Sequence, residues 1–349
     1  MVAVAESLEQ LPYWQPAAPY LNTASYGLPP QPAFEELQRA LDDWRRGRTS
    51  WEHWGESTER ARAAFARLVG VSAGAVAIGA TVSELVGLLA AAAPDGAQVL
   101  GADDDFASLL FPWTAHADRG VTISTVPLAE LAERVSDDTD VVVVSLVQSA
   151  TGEVAAIDAI LEAARAVGAA VVVDGTQAIG WLRFEAARVD ALVCGGYKWL
   201  LSPRGTAYLY LGDELRDRVS PLHAGWYAGE DVHSSYYGLP ARLAKTVRRL
   251  DTSPAWFSWV GAAPALELLE EIGVERIRDH DVALANRFRA GLGMDQSDSA
   301  IVSASVPSAQ EKLERAGIRA ATRAGALRAS FHLYTRRSDV DAALEALAA

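Results

Sequence analysis

The sequence is poor in the residues that cross-link a chain or bind a metal. It has one cysteine, Cys194, so no disulfide can form within the chain. Its six histidines are scattered, without the Cys/His spacing of a metal site. Positive charge is also scarce. Lys and Arg total 31 against 45 for Asp and Glu, and the formal net charge of -14 argues against nucleic acid or an anionic membrane as partner. A local basic pocket is still allowed. Long apolar runs are missing: Ala90 to Ala93 stops at Pro94-Asp95-Gly96, well short of a membrane span. The opening stretch, Met1 to Gln15, is acidic and lacks the basic start and apolar middle of a signal peptide. A soluble cytoplasmic protein is the expectation. No internal repeat or low-complexity linker is visible.

What is present is ample for a core, because 50% of residues are hydrophobic. At 349 residues, one large and one smaller domain is the natural expectation. We place them at 16–258 and 259–349, with the segment 1–15 packing on the smaller one. Ten tryptophans against two methionines is an unusual balance.

Strand and helix patterns alternate from Val76 to Leu211, the signature of βαβ units. Strands are expected at Val76–Gly79, Val99–Leu100, Val121–Val126, Asp140–Val147, Ala169–Val173, Ala191–Val193 and Gly205–Leu211. The Val-rich run from Asp140 to Val147 has the pattern of a central parallel strand. Right-handed crossovers would place the ends of all these strands on one edge, where dispersed residues share a site. From Ala262 the pattern changes to two helices and shorter strands, at Ile301–Val306 and Leu327–Leu333, as in a small α+β domain.

Several polar residues fall at expected strand ends. Asp174-Gly175-Thr176-Gln177 follows one strand, and Cys194-Gly195-Gly196-Tyr197-Lys198 ends another. A lysine there can form a Schiff base, and an aspartate on the neighbouring strand can hold a pyridinium nitrogen. Lys198 alone could equally be a surface lysine after a Gly-Gly turn. Thr81-Val82-Ser83-Glu84 has a capping-box pattern, and a helix N-terminus with hydroxyls binds phosphate well. Phe106 lies beyond a strand end, where its ring can stack on a flat ligand or simply fill the core. Gln148-Ser149 begins a polar loop at another strand end. Asn22 can orient a ligand or close an Asx turn. Arg328, inside an apolar strand, needs a partner. A substrate carboxylate held bidentately would serve, and so would an internal Asp or Glu.

Taken together, Asp174-x-x-Gln177, Gly195-Gly196-Tyr197-Lys198 and Leu327-Arg328-x-Ser330-Phe331-x-x-Tyr334-Thr335 resemble class V, fold type I enzymes of pyridoxal phosphate (PLP). Cysteine desulfurases, kynureninases and isopenicillin N epimerases belong to that family. The resemblance runs from about Tyr20 to the C-terminus. It implies an α/β fold, with a mostly parallel seven-stranded sheet flanked by helices plus a small α+β C-terminal domain. It implies that Lys198 carries PLP, that Asp174 pairs with the ring nitrogen, and that Gln177 bonds the phenolic oxygen. Phe106 takes the ring-stacking position, with Gln148 beside the cofactor. Thr81, Val82, Ser83 and Tyr197 cradle the phosphate. Ser253 matches a threonine that reaches the phosphate of a second subunit, which implies a homodimer with a shared active site. Arg328, Asn22 and Tyr26 are the implied contacts of a small amino-acid substrate. No metal is implied.

The departures narrow the reading. A desulfurase needs a mobile cysteine near the small domain, whereas Cys194 lies on an expected buried strand just before Lys198. Elimination, transamination and epimerisation are what remain. In length, Ala/Arg richness and aromatic inventory the sequence looks most like the actinobacterial hercynylcysteine sulfoxide lyases of ergothioneine biosynthesis. Their substrate carries a trimethylammonium group, which suits an aromatic cage. Trp51, Trp54, Trp226, Tyr227, Tyr236 and Tyr237 are the candidates.

Overall fold

The computed structural model describes residues 8–49 and 51–349, so the first half of the segment 1–15 falls outside it. Seven strands form the main sheet: β1 (Val76–Gly79), β2 (Gln98–Ala102), β3 (Thr122–Val126), β4 (Val141–Ser145), β5 (Ala170–Asp174), β6 (Ala191–Gly195) and β7 (Ala207–Leu211). Their order is β1-β7-β6-β5-β4-β2-β3. Pairings from β3 through β6 are parallel, and only β7 runs against its neighbours. The valine runs of β4 and β5 are buried on both faces, as a central parallel strand requires. Val142, Val144, Val171 and Val173 join one core, and Val143 and Val172 join the core on the other face. That split follows the two-residue period of a strand.

Helices cover both faces. The helix Gln31–Arg45 opens with proline in its first turn, where a missing N–H costs nothing. The helix Val82–Ala92 is capped by Thr81, whose hydroxyl accepts the Glu84 N–H at 3.3 Å. Glu84 reaches back to the Ala80 N–H at 2.9 Å, which completes a reciprocal cap. The helix Trp51–Leu68 packs on Trp256–Ile272. The latter begins earlier than its apolar pattern indicates, because its first turn is built from aromatic residues that read as loop.

A second sheet has three antiparallel strands: β8 (Ile301–Ala304), β9 (Ala321–Arg323) and β10 (Ala326–Ser330), in the order β8-β10-β9. Its core joins Phe288 of the helix Val274–Gly291 to Phe331 and Val340. Two isolated parallel bridges, Tyr20 to Arg319 and Asn22 to Ser330, lie before the first helix. The N-terminal stretch is thereby attached to the small sheet.

The direction of β7 departs from the sequence expectation that all strand ends share one edge. Residues 196–206 turn back at the cleft edge instead of crossing over through a helix, so β7 runs antiparallel and its beginning lies there. Thr206 reaches the cleft by this route.

A buried polar link joins the two sheets. His332 Nδ1 lies 2.7 Å from Asp281 Oδ2, and its Nε2 lies 3.2 Å from the Trp199 carbonyl oxygen. Both His332 and Asp281 are fully buried. The small layer is thus tied to the residue next to Lys198.

Candidate active site

The carboxyl end of β5 delivers Asp174, and the end of β6 leads through two glycines to Lys198. The Asp174 carboxylate accepts the Thr176 N–H at 2.8 Å, and the Thr176 hydroxyl accepts the Gly195 N–H at 2.9 Å. These bonds hold the two strand ends together. Gly196 is required by space, since a Cβ there would meet the Thr206 hydroxyl at 2.4 Å. Asp174 and Lys198 line one cavity of about 310 Å³. A cavity of about 520 Å³ lies at the opposite edge of the sheet, by Asp140, Ala170 and Asp190, and holds no lysine.

Burial governs the charges here. It lowers the Lys198 amine to about 8, with the Asp174 charge opposing it and Arg328 and Arg323 adding to it. Burial likewise pushes the Asp174 carboxyl up, against the bonds from Thr176 and the charge of Lys198. The two shifts have one cause, so we take desolvation as stronger than the attraction between the pair. Burial also pushes Asp105 up to about 6. That carboxylate accepts the Ser145 N–H at 2.9 Å and the Phe106 N–H at 3.2 Å, fixing the backbone that carries Phe106. The Lys198 Nζ lies 5.2 Å from the centre of the Phe106 ring, which is 46% exposed and forms a wall of the cavity.

Arg328 meets no internal Asp or Glu among the described residues. It is 1% exposed, and its bonds go to neutral oxygens. Nη1 donates to the Ser149 carbonyl at 2.6 Å and the Ser149 hydroxyl at 3.2 Å, and Nη2 donates to the Ser25 hydroxyl at 2.6 Å. Its Nε is buried with no partner among the described residues. No Asp or Glu among the described residues balances this charge, which leaves it open to an anion. Gln177 is fixed from both ends: its Oε1 accepts the Trp199 indole N–H at 2.8 Å, and its Nε2 donates to the Ala24 carbonyl and the Ser149 hydroxyl.

Of the residues singled out from the sequence, Thr81, Val82, Ser83, Phe106, Asp174, Gln177, Tyr197, Lys198 and Arg328 line this cavity. Four others do not. Gln148 is buried with an Nε2 that has no partner among the described residues, and its neighbour Ser149 faces the cavity instead. Asn22 uses its backbone carbonyl to accept the Ser25 and Tyr26 N–H groups, while its Oδ1 is buried without a partner among the described residues. Tyr26 packs on the Tyr197 ring at 5.6 Å. Ser253 is exposed in the loop before the helix Trp256–Ile272. That loop is held by Asp251, which pairs with the buried Arg62 at 2.5 Å and accepts the Ile78 N–H.

The six proposed cage aromatics also lie off the cavity lining. Trp51 packs edge-on to Trp226 at 4.9 Å and to Tyr236 at 6.3 Å, and Trp54 packs on Phe257. Sequence reasoning missed Ser25, Thr176, Arg204, Thr206 and Arg323. Small hydroxyl residues look like turn formers in a sequence, and Arg323 sits on a strand too short to show a period.

The donor set fits PLP. It offers a buried amine of lowered proton affinity, a carboxylate in the same cavity, a flat aromatic wall, and the Thr81 and Ser83 hydroxyls at a helix N-terminus suited to phosphate.

The family model for aminotransferase class-V matches residues 44–307. The chain belongs to the class-V aminotransferase family. An uncharacterized aminotransferase of Bacillus subtilis, YcbU, is 31% identical over 342 residues, covering 90% of each chain. The isopenicillin N epimerase of Streptomyces clavuligerus is 29% identical over 255 residues, covering 66% of this chain and 63% of the relative. Among solved structures, a cystine C–S lyase bound to cysteine persulfide superposes with a TM-score of 0.85 at 23% identity, covering 94% of this chain and 97% of that one. That likeness is one of fold, and the fold is the type I architecture implied by the sequence. No helix among the described residues is long and apolar enough to cross a membrane.

Proposed function

We propose that this class-V protein is a PLP-dependent carbon–sulfur β-lyase acting on a cysteine S-conjugate sulfoxide, and that the substrate is hercynylcysteine sulfoxide. The observation that carries the reading is the burial of Cys194. It is 0% exposed within β6, and burial holds its thiol well above the usual range. A buried, protonated thiol cannot collect sulfur from a substrate, whereas the Lys198 amine and the Arg328 guanidinium share the cavity.

Each residue then has a task. Arg328 binds the substrate carboxylate. Lys198 Nζ, whose proton affinity is lowered by burial, takes the Cα proton. The bound cofactor supplies the sink for the electrons left at Cα. With the cofactor bound, Asp174 would hold the ring nitrogen and favour its protonated form. Phe106, in the wall of the cavity, would cover the cofactor ring and shield it from water. The Cβ–S bond breaks and sulfur leaves as a sulfenate. The released aminoacrylate hydrolyses to pyruvate and ammonia, and an external thiol reduces the sulfenate to ergothioneine.

In this reading residues 16–258 form the cofactor domain and 259–349 the small domain that supplies Arg328. The protein works in the cytoplasm as a homodimer with a shared site. Exposed Tyr26, Phe106 and Phe111, at 42%, 46% and 68%, support a covering partner, as does the exposed Ser253. The Trp51, Trp226 and Tyr236 cluster meets the substrate cation across that dimer.

The likeness to an aminotransferase and an epimerase favours a second reading, one of those reactions on the same scaffold. Cysteine, cystine and hercynylcysteine sulfoxide, supplied separately to the holoenzyme with a thiol, separate the readings. Pyruvate from the sulfoxide conjugate alone is expected. A keto acid of the intact substrate with pyridoxamine phosphate, or an epimer, would overturn the lyase.

A further inference from the structure

The hairpin formed by β9 and β10 places a second arginine at the cavity. Its turn has two central residues, Ala324 and Gly325, both left-handed at φ 46° and 78°. Such a turn locks the register of the strands it joins. Arg323 faces Ala326 and Arg328 faces Ala321. Residues two apart share a strand face, so Arg323 and Arg328 stand on the same side of the hairpin as diagonal neighbours. Both donate to the Ser25 hydroxyl, Arg323 at 3.2 Å and Arg328 at 2.6 Å.

Two cations sharing one neutral oxygen repel each other, and no carboxylate pairs with either among the described residues. Burial and the Arg323 charge together lower Arg328 to about 10. The imbalance extends across the cavity, where Lys198, Arg204, Arg323 and Arg328 face Asp174 alone. This is a cationic pocket in a chain of net charge -14. The two arginines also differ in depth. Arg328 is buried, with both Nη atoms committed to serine oxygens. Arg323 is exposed, and its Nη1 bonds only the Thr322 carbonyl at 2.8 Å. Arg323 therefore stands nearer the mouth.

We propose that Arg323 is a specificity-determining residue: it receives a second anionic group, a carboxylate or a sulfur oxyacid, borne by the substrate beyond its α-carboxylate. The inference rests on the reading that Arg328 takes the α-carboxylate of an amino acid. A substrate with one acid group would leave Arg323 facing the like charge of Arg328. A substrate with a distal acid group neutralises both.

The test compares S-carboxymethyl-L-cysteine sulfoxide with S-methyl-L-cysteine sulfoxide on the holoenzyme, by calorimetric titration and by pyruvate release. Wild type should bind the carboxymethyl compound at least about tenfold more tightly, the scale of one charge-assisted bond. Arg323→Gln should bring that ratio to within about twofold, and Arg323→Lys should keep part of it. Arg328→Gln should weaken both compounds alike. Far-UV circular dichroism checks that each variant folds. Equal wild-type affinities would overturn the proposal. So would an Arg323→Gln variant that weakens both compounds equally, since Arg323 would then share the α-carboxylate. A preserved preference without pyruvate from either compound would support the anion subsite, and absence of pyruvate from hercynylcysteine sulfoxide as well would sink the lyase reading.

Discussion

Replacing Asp174 by asparagine should make Lys198 a weaker base still. Burial holds the amine near 8, and the Asp174 charge is the main force raising it. Asp174 lines the same cavity, and its charge raises the Lys198 midpoint, so Asp174→Asn should move that midpoint below about 8. At pH 7 the neutral amine, about a tenth of molecules in wild type, would become a larger fraction in the variant. The chain makes the assay simple, because its lysines are Lys198, Lys245 and Lys312. Reductive methylation of the apo protein with carbon-13 formaldehyde labels these and the N-terminus, and the NMR shift of each is followed against pH. Lys198→Met identifies the Lys198 resonance. The sign for stability follows. Between pH 8 and 10.5 the unfolded chain holds the lysine proton and the folded chain does not, so stability rises with pH across that window. The full shift is worth about 3 kcal/mol; it should be absent from Lys198→Met, so the difference in stability between wild type and Lys198→Met should show it across this window. A Lys198 midpoint above 10, or a midpoint that rises in Asp174→Asn, would refute the reasoning.

Arg328→Ala should weaken substrate binding by about 10–100-fold, the worth of a bond to a charged group, while PLP stays bound. Titration followed by cofactor absorbance checks it, and an unchanged dissociation constant removes the carboxylate role. Cys194→Ala should keep pyruvate formation and lower the urea midpoint by about 1 kcal/mol of stability, as for loss of one small buried group. Complete inactivity in a folded protein would revive a sulfur relay. His332→Ala leaves the Asp281 carboxylate buried without its partner and should cost about 3–5 kcal/mol in urea unfolding. A loss below about 1 kcal/mol would show that the pair is not a strong tie.

Much of this site was legible because parallel strands buried on both faces leave a plain apolar signature. The runs in β4 and β5 stand out, and Asp174 and Lys198 follow directly at strand ends. Strand direction is not written in apolar pattern, so β7 was placed in the sheet with the wrong sense and Thr206 was overlooked. β9 spans three residues around an Ala-Gly turn, too few to show alternation, and Arg323 was lost with it. Ser25 and Ser149 are small polar residues in loops, and only the arginine they share marks them out. The aromatic residues present the reverse case. Composition showed their excess but carried no information about which rings meet, and they cluster with one another away from Lys198.

The attachment of residues 20–22 to the small sheet divides the labour along the chain. The middle third houses the Lys198 amine and the Asp174 carboxylate of the cavity. In the proposed reading, selection of what enters depends on Ser25 near one terminus and on Arg323 and Arg328 near the other, drawn together by two single bridges. A protein cut off after residue 258 would keep its reactive lysine and lose its means of choosing. By the same token, a lineage could trade one amino acid for another by editing its two ends, with the reactive centre left as it was.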